Sequence, residues 1–263
     1  MPQPFSMRMA DATFTVSPLH EQVRQMCEDY LIPHAAALDG SCPHLDIVVT
    51  PELIECERAL STEGEWSDAY LETLAVYRAV AEWAPLHGRL LIHGAAIEVD
   101  GRAFLFCAPS GTGKSTHIAL WRRVLGDAVR VVNGDKPLVR MAADGHATIF
   151  GTPWCGKEGW QENTAAPLAG ICWLSRAAGP GLSHAEPVAP ANALDAAMRQ
   201  VYLPKGPEAG AATLELMDRL LTSTPLYNLS VDMTDDAVRV ARGALMGGRA
   251  GASAPARAGE DLA

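Results

Sequence analysis

The chain lacks an excess of positive charge. Its 263 residues carry 21 lysines and arginines against 31 aspartates and glutamates, which gives a net charge of −10. Proteins that attract phosphate backbones or anionic lipids through a general field need the opposite balance. The sequence also has no uncharged apolar run near the ~20 residues needed to cross a bilayer. We therefore expect partners other than nucleic acid and membranes.

Paired cysteines are absent as well. The six cysteines lie far apart without a Cys-x-x-Cys pair, and the first residues contain no basic stretch followed by an apolar run. This usage is typical of reduced thiols, so we expect a cytoplasmic protein. The histidines show no paired metal-ligand spacing, and the sequence predicts no zinc site.

The composition favours a folded chain, and the sequence divides into a small N-terminal region, a core and a tail. Hydrophobic residues make up 48% and charged residues 20%, close to ordinary globular usage. Residues 1–85 contain no dense motif and are interpreted as a small N-terminal α+β region, followed by a core over 86–246. Residues 247–263 are mainly Gly, Ala, Arg, Ser and Pro, which predicts a disordered tail.

Hydrophobic periodicity predicts a mixture of strands and helices. The Asp100-Gly101 dipeptide favours a type I′ hairpin, and Asp144-Gly145 marks a second hairpin. The predicted strands are 14–16, 45–49, 90–99, 103–107, 129–132, 137–141, 147–150, 168–174 and 226–231, and the predicted helices are 66–83, 114–124, 189–201, 209–222 and 235–245.

The strongest motif is a glycine-rich turn between a predicted strand and a predicted helix. Lys114 in such a turn reaches the β- and γ-phosphates of a nucleotide, and the Ser115 hydroxyl ligates Mg²⁺. The first glycine of the usual pattern is replaced by Ala108. No guanine-reading Asn-Lys-x-Asp motif is present, so ATP is the expected nucleotide. The predicted nucleotide-binding residues are Ser110, Gly111, Thr112, Gly113, Lys114, Ser115 and Thr116.

Two further residues are candidates for catalysis beside this turn. Asp135 ends the predicted strand about twenty residues beyond Lys114. A carboxylate at this place can bind the metal or act as a base. The alternative is an aspartate that only forms a turn. Counting outward from the Asp100-Gly101 turn places His93 opposite Ala108, at the mouth of the loop. His93 then contacts a phosphate or the carboxylate, or it is structural.

The segment 151–167 is too long and too irregular for a simple spacer. It contains two carboxylates, Glu158 and Glu162, together with Lys157, Trp154 and Trp160. These side chains are candidates for contact with substrate or metal, and a solvated loop face is the alternative interpretation.

The motifs together resemble a known family. They are similar to the kinase core of HPr kinase/phosphorylase, which shares its fold with ATP-dependent phosphoenolpyruvate carboxykinases. The similar residues are His93-Gly94, Glu98-x-Asp100-Gly101, the turn from Ser110 to Ser115 and the strand ending in Asp135. The resemblance covers residues 90–174. It implies an α/β P-loop kinase core with a mixed sheet and hairpins, and transfer of the γ-phosphate of ATP to a serine hydroxyl with Mg²⁺.

Two shorter stretches resemble one subgroup of that family. They are similar to segments of small HPr-kinase-like proteins that are often encoded beside peptide-tailoring enzymes. The two stretches are Gly151-Thr-Pro-Trp-Cys-Gly-Lys157 and Leu168-Ala-Gly-Ile-Cys-Trp-Leu174. Some of these relatives phosphorylate a serine of a lasso-type precursor peptide. The resemblance therefore implies a peptide or small protein as the phosphoacceptor.

One position departs from the family pattern. The family has two adjacent acids at the end of the strand, whereas this chain has Asn133-Gly134-Asp135. This difference leaves three possibilities. Asp135 serves as both metal ligand and base, or another carboxylate such as Glu158 or Glu162 replaces the missing acid, or catalysis is weak. The signature of the phosphorylase reaction is not evident, and that activity is not predicted.

The sequence thus predicts an ATP-dependent serine or threonine kinase acting on a small protein or peptide. Its catalytic residues are His93, Asp135 and Lys114, and its Mg²⁺ ligands are Ser115 and Asp135. A small-molecule kinase or carboxykinase-like enzyme is one alternative, and a non-catalytic ATP-binding partner protein is another. The phosphoacceptor and any assembly of identical chains are left open.

Overall fold

The computed structural model describes residues 2–38, 40–61 and 64–247, and within them the backbone forms two β-sheets flanked by helices. The predicted disordered tail falls on residues 248–263, outside the described residues, except for Gly247, which instead ends the last helix. None of the helices in the described part of the chain is long and apolar enough to span a membrane.

The N-terminal region contains a four-stranded sheet. Its order is β3-β1-β2-β4, with β1 and β2 forming a hairpin and β4 parallel to β2. The strands are β1 (Phe5–Met9), β2 (Ala12–Ser17), β3 (Leu31–Ile32) and β4 (His44–Val48), and the helices are α1 (Glu21–Met26), α2 (His34–Ala37), α3 (Pro51–Leu60) and α4 (Asp68–Trp83).

The larger sheet occupies the rest of the chain. Its strands are β5 (Arg89–Leu91), β6 (Ala95–Val99), β7 (Arg102–Cys107), β8 (Val129–Asn133), β9 (Leu138–Met141), β10 (Ala147–Phe150), β11 (Ala165–Arg176), β12 (His184–Pro187) and β13 (Leu226–Val231). The order is β5-β9-β10-β11-β7-β6-β8, with β13 between β11 and β12. The long strand β11 runs parallel to β7 and β13 and antiparallel to β10, so the sheet is mixed as expected.

Helices cover both faces of this sheet. They are α5 (Lys114–Leu125), α6 (Pro190–Met198), α7 (Pro207–Ser223) and α8 (Asp235–Gly247). Alternate residues of β7 point to opposite faces: Leu105 joins the core formed with α6 and α7, and Phe104 joins the core formed with α5 and α8. After Arg102 this strand is apolar and fully buried, as expected for a strand that is covered on both faces.

The predicted single strand 90–99 is wrong, because the structure divides it into β5 and β6. Strand β5 pairs with β9, whereas β6 pairs with β7 in the predicted register of Val99 opposite Arg102. The chain turns between them at Gly94, where a Cβ atom would lie 2.7 Å from Leu105 Cδ1 and 3.1 Å from the Phe106 carbonyl oxygen. A side chain at this position would have to displace these atoms, and the break leaves His93 outside both strands.

Other boundaries also differ from the predictions. Helix α6 ends at Met198, short of the predicted residue 201, because Val201 bridges to Ile92 and the Tyr202 N–H donates to the Leu91 carbonyl at 2.9 Å. Six elements were not predicted, namely strands β1, β3 and β12 and helices α1, α2 and α3. None of the four residues of β12 is buried, so this strand carries no hydrophobic signal.

Candidate functional site

The segment after β7 is a glycine-rich turn that leads directly into a helix. Gly111 and Gly113 adopt left-handed conformations, with φ of +76° and +118°, and the Thr112 N–H donates to the Pro109 carbonyl at 3.3 Å. Helix α5 starts directly afterwards at Lys114. The N–H groups of its first turn therefore face the loop without partners from the helix, which makes this an anion-binding arrangement.

Lys114 is held inside the loop. Its side chain is largely covered, with the residue 9% exposed, and its ammonium donates to the Ala108 carbonyl at 2.7 Å. Burial lowers the pKa of Lys114, and the nearby Asp135 carboxylate opposes that shift. Ser115 is half-buried and Thr116 is exposed on the following turn. The loop thus presents one cation at its centre and two hydroxyls at its edge.

Asp135 sits in a turn that Asn133 fixes. The Asn133 Oδ1 atom accepts hydrogen bonds from the N–H groups of Asp135 at 2.8 Å and Lys136 at 2.7 Å. The Asn133 amide donates to the Thr152 carbonyl at 2.9 Å, and the Thr152 hydroxyl donates to the Lys136 carbonyl at 2.7 Å. Sequence analysis missed Asn133 and Thr152 as site residues, although Asn-Gly-Asp is a known turn pattern.

His93 lies against this carboxylate. Its Nε2 atom is 3.2 Å from Oδ1 of Asp135, and its backbone N–H donates to the Gln200 carbonyl at 2.7 Å. The next N–H, from Gly94, donates to the Asp135 carbonyl at 2.9 Å. Side chain and backbone contacts therefore join the break between β5 and β6 to the end of β8.

The surroundings of Asp135 favour its ionised form. Burial by itself would raise the pKa of this carboxyl, but the hydrogen bond from His93 and the charges of Lys136 and Lys114 outweigh burial and lower it. Lys136 Nζ is 3.6 Å from Oδ2, and burial lowers the pKa of Lys136 in turn. Asp135 is 31% exposed at its side chain, so the ionised carboxylate remains accessible.

The absence of a second acid next to Asp135 has a structural reason. The Gly134 N–H donates to the Trp160 carbonyl at 2.8 Å, so the 151–164 segment lies against the turn. A Cβ atom on Gly134 would be 2.7 Å from the Cys155 carbonyl oxygen. An aspartate at this position would therefore displace the covering segment, and Gly134→Asp does not simply restore the family's pair of acids.

The covering segment contacts Asp135 at Gly156, and Glu158 is exposed two residues later. A Cβ atom on Gly156 would lie 3.3 Å from Cβ of Asp135 and 3.7 Å from Oε2 of Glu158. Glu158 and Asp135 thus flank the same glycine. Glu162 instead runs along β8, where its N–H donates to the Val132 carbonyl at 3.3 Å, and its side chain is exposed.

Aromatic residues from distant parts of the chain border the same turn. Tyr77 of α4 lies 5.5 Å from Trp154 and 6.0 Å from Tyr202 between ring centroids. Burial and the nearby groups Tyr202 and Asp135 raise the pKa of Tyr77. Sequence analysis assigned no functional residue to the N-terminal region, because no local pattern links α4 to Asp135.

The donor set of the site fits magnesium. The described residues contain no group of three or more His, Cys, Asp or Glu side chains that could hold a metal ion. Mg²⁺ bound with a nucleotide, however, usually takes only one or two protein oxygens, and phosphate oxygens and water fill its remaining positions. The Ser115 hydroxyl and the ionised Asp135 carboxylate supply oxygens of the kind it prefers.

No family model and no curated protein matches the chain. Among solved structures, the chain is similar to the Hpr(Ser) kinase/phosphatase from Coxiella burnetii. The two share 12% sequence identity at a TM-score of 0.26, and the alignment covers 50% of this chain and 88% of the other.

Proposed function

We propose that the protein is an ATP-dependent phosphotransferase that transfers the γ-phosphate to a serine or threonine hydroxyl of a peptide or small protein. One observation carries the proposal: the adjacent strands β7, β6 and β8 bring the glycine-rich loop, Lys114 and the His93–Asp135 pair together. An anion-binding loop beside an ionised carboxylate is the arrangement that phosphoryl transfer requires.

The loop would bind the triphosphate. Phosphoryl transfer passes through a loose transition state that needs charge neutralisation and in-line alignment. The free N–H groups at the start of α5 and the Lys114 ammonium provide both. Lys114 would exchange its hydrogen bond with the Ala108 carbonyl for one with a phosphate oxygen, and the charged acceptor makes the stronger bond.

Asp135 is better suited to hold Mg²⁺ than to act as a base. An efficient general base has a pKa near the working pH, whereas the neighbours of Asp135 lower its pKa. An ionised carboxylate is instead the ligand that Mg²⁺ prefers. With Ser115 as the other ligand, the ion would neutralise charge on the β- and γ-phosphates.

The transfer step itself forms one bond and breaks one. The acceptor hydroxyl oxygen bonds to the γ-phosphorus, the bond from that phosphorus to the bridging oxygen breaks, and ADP leaves. The hydroxyl proton passes to a carboxylate, for which Asp135 and the exposed Glu158 of the covering segment are the candidates. His93 would orient Asp135 through its 3.2 Å contact.

A protein or peptide acceptor is supported over a small anionic substrate. The carboxykinase-like alternative needs a cluster of free cations near the loop, yet Arg140 is paired with Asp11 and Arg199 with Asp195, which leaves the exposed Lys157. Lys136 faces Asp135 at 3.6 Å. The motif resemblance to HPr kinase also implies a serine hydroxyl as acceptor.

The proposal is tested by replacing Lys114. We expect Lys114→Ala to keep the fold and to lower turnover by at least about 10²-fold, because it removes the central cation of the loop. Lys205→Ala is the matched control, because Lys205 is exposed and lies between α6 and α7. The assays are ADP formation from Mg²⁺-ATP without acceptor, and transfer from γ-labelled ATP to an array of serine and threonine peptides.

Two results would overturn the proposal. Near-normal turnover by Lys114→Ala would mean that the loop does not hold the phosphates. A wild-type protein that binds ATP but forms neither ADP nor phosphopeptide would be the non-catalytic ATP-binding protein of the alternative hypothesis.

A further inference from the structure

The covering segment is held by the N-terminal region near both of its ends. Near one end, the Trp154 indole N–H donates to the Thr73 carbonyl of α4 at 3.2 Å. Near the other end, the Asn163 amide donates to the Asp29 carbonyl at 3.0 Å. The part between these contacts lies on the turn that carries Asp135. The N-terminal region therefore reaches the site through this segment.

Tyr30 adds a buried contact to the same segment. The residue is 0% exposed, and its hydroxyl donates to Oε1 of Gln161 at 2.5 Å. Burial raises the pKa of Tyr30, so the hydroxyl keeps its proton and remains a donor. The NH₂ group of the Gln161 amide in turn donates to an Asp29 carboxylate oxygen at 3.0 Å. Both polar ends of the Gln161 side chain are thus held by the N-terminal region.

Gln161 lies beside the residue that shapes the Asp135 turn. Its backbone forms an antiparallel bridge with Asn133. Next to this bridge, the Gly134 N–H donates to the Trp160 carbonyl at 2.8 Å. The Asn133 Oδ1 atom accepts the Asp135 N–H at 2.8 Å. A continuous path of hydrogen bonds and backbone pairing therefore runs from the N-terminal region to the turn.

The hydroxyl of Tyr30 has a role that apolar packing does not explain. The residue belongs to the apolar cluster of the N-terminal sheet, where a phenylalanine ring would fill the same space. Burying a hydroxyl there costs free energy unless the hydroxyl has a partner, and its partner belongs to the covering segment. The hydrogen bond therefore makes one position of the segment more favourable than others, as satisfied buried polar contacts do.

We propose that Tyr30 is a positioning residue, which holds the covering segment, and through it the Asp135 turn, in the arrangement that binds Mg²⁺ with ATP. The inference rests on the proposed function, in which Asp135 is a ligand of Mg²⁺. Tyr30 acts through Gln161, so its loss would loosen the turn and leave the glycine-rich loop with Lys114 in place. The N-terminal region then takes part in the reaction as the support of the metal site.

Tyr30→Phe tests the inference because it removes only the hydroxyl. In the protein without nucleotide, we expect the backbone amides of Gly134 and Asp135 to exchange hydrogen at least about fivefold faster, because the turn opens more often. Thr213→Val is the matched control: Thr213 is 0% exposed, and its hydroxyl donates to the Ala209 carbonyl at 2.8 Å within α7. The control should leave these two amides unchanged.

The second measurement is the Mg²⁺ dependence of ADP formation. In Tyr30→Phe, the Mg²⁺ concentration for half-maximal turnover should rise roughly tenfold, in line with one lost hydrogen bond. The KM for ATP at saturating Mg²⁺ should stay near the wild-type value, because Lys114 and the loop are unchanged. Gln161→Leu breaks the same contact from the other side, so adding Tyr30→Phe to it should cause no further loss.

Two outcomes would overturn the inference. If Tyr30→Phe lowers only the urea midpoint and matches Thr213→Val in hydrogen exchange and Mg²⁺ dependence, Tyr30 is a packing residue. Additive effects of Tyr30→Phe and Gln161→Leu would contradict the path through Gln161. A wild-type protein that forms no ADP would contradict the proposed function instead, and the exchange rates would then decide by themselves whether Tyr30 holds the turn.

Discussion

At the scale of single residues, the site depends on how Asp135 is kept ionised. The carboxyl is partly buried, which opposes its charge, but His93, Lys136 and Lys114 lower its pKa. The ionised form is therefore retained at acidity where a buried carboxyl without these neighbours would bind a proton. His93 acts here as a positioning residue, because its contact is with the carboxylate.

The first prediction concerns the pH dependence of Mg²⁺-ATP binding. Removing His93 removes a group that lowers the pKa of Asp135, so His93→Ala should raise that pKa and affinity should fall at a higher pH than in wild type. His93→Gln keeps a hydrogen-bond donor, so the pH at which its affinity falls should lie between those of the wild type and of His93→Ala. Calorimetric titrations from about pH 4 to 8 measure the dissociation constant of Mg²⁺-ATP for the variant and for the wild type. In the ratio of the two constants, the titration of the nucleotide itself cancels. Identical profiles would show that His93 does not tune Asp135.

A second prediction separates the roles of Asp135. Asp135→Asn should weaken the Mg²⁺ dependence of ATP binding, because the amide is a poorer ligand than the carboxylate. If Asp135 were chiefly the base, ATP and Mg²⁺ would bind normally while transfer fell by roughly 10²- to 10⁴-fold. ATP titrations at several Mg²⁺ concentrations distinguish these results. A parallel Glu158→Gln variant tests the neighbouring carboxylate, and normal transfer by that variant would exclude Glu158 as the base.

At the scale of elements, the 151–164 segment acts as a cover over the turn after β8. Asn133 bridges to Gln161, Gly134 bonds to Trp160, and Asn133 bonds to Thr152, so the cover and the turn form one unit. The side chain of Arg122 on α5 lies over the Trp160 ring at 5.4 Å, which joins this unit to the helix that follows the loop. The position of Asp135 therefore depends on the cover.

A third prediction follows from the close packing at Gly134. Gly134→Ala should destabilise the protein by about 1–3 kcal/mol and reduce transfer, because the added Cβ meets the Cys155 carbonyl. Gly206→Ala is the control, since Gly206 has ordinary backbone angles and open space around its Cα. Urea denaturation and the ADP assay measure both effects. Unchanged stability in Gly134→Ala would show that the cover moves freely.

At the scale of the whole molecule, the N-terminal region and the larger sheet share one apolar core. Leu91, Leu138, Phe150 and Trp154 belong to the same cluster as the buried residues of the N-terminal sheet. Polar contacts cross the same boundary: the Arg89 guanidinium donates to the Ala10 carbonyl at 2.7 Å. One apolar cluster therefore crosses the boundary near residue 85.

A fourth prediction is that the chain unfolds in one cooperative transition. A shared core links the stability of both regions, so far-UV circular dichroism and tryptophan fluorescence should give coincident urea curves. Removal of residues 1–85 would expose the apolar faces of Leu138 and Phe150, and we expect that fragment to aggregate. Two separate transitions, or a folded and monomeric fragment, would contradict the shared core.

The sequence by itself determined the elements that depend on local chemistry. Asp100-Gly101 predicted the hairpin because its two positive φ angles suit those residues, and the structure has φ of 51° and 71° there. The strand, glycine-rich turn and helix around Lys114 were predicted in the same way. Strand β13 was predicted with its observed limits, because its residues are apolar or aromatic apart from Asn228 and Ser230.

Only the tertiary structure decided what lies around those elements. Gly94 packs closely against Leu105 and Phe106, and Gly134 against a carbonyl about twenty residues later in the chain. The approach of Tyr77 to Asp135 and the contact between Tyr30 and Gln161 likewise join segments that are remote in sequence. Sequence patterns report the preference of each segment for its own conformation. Contacts between distant segments depend on how the sheets and helices pack, and one sequence read alone carries no signal for them.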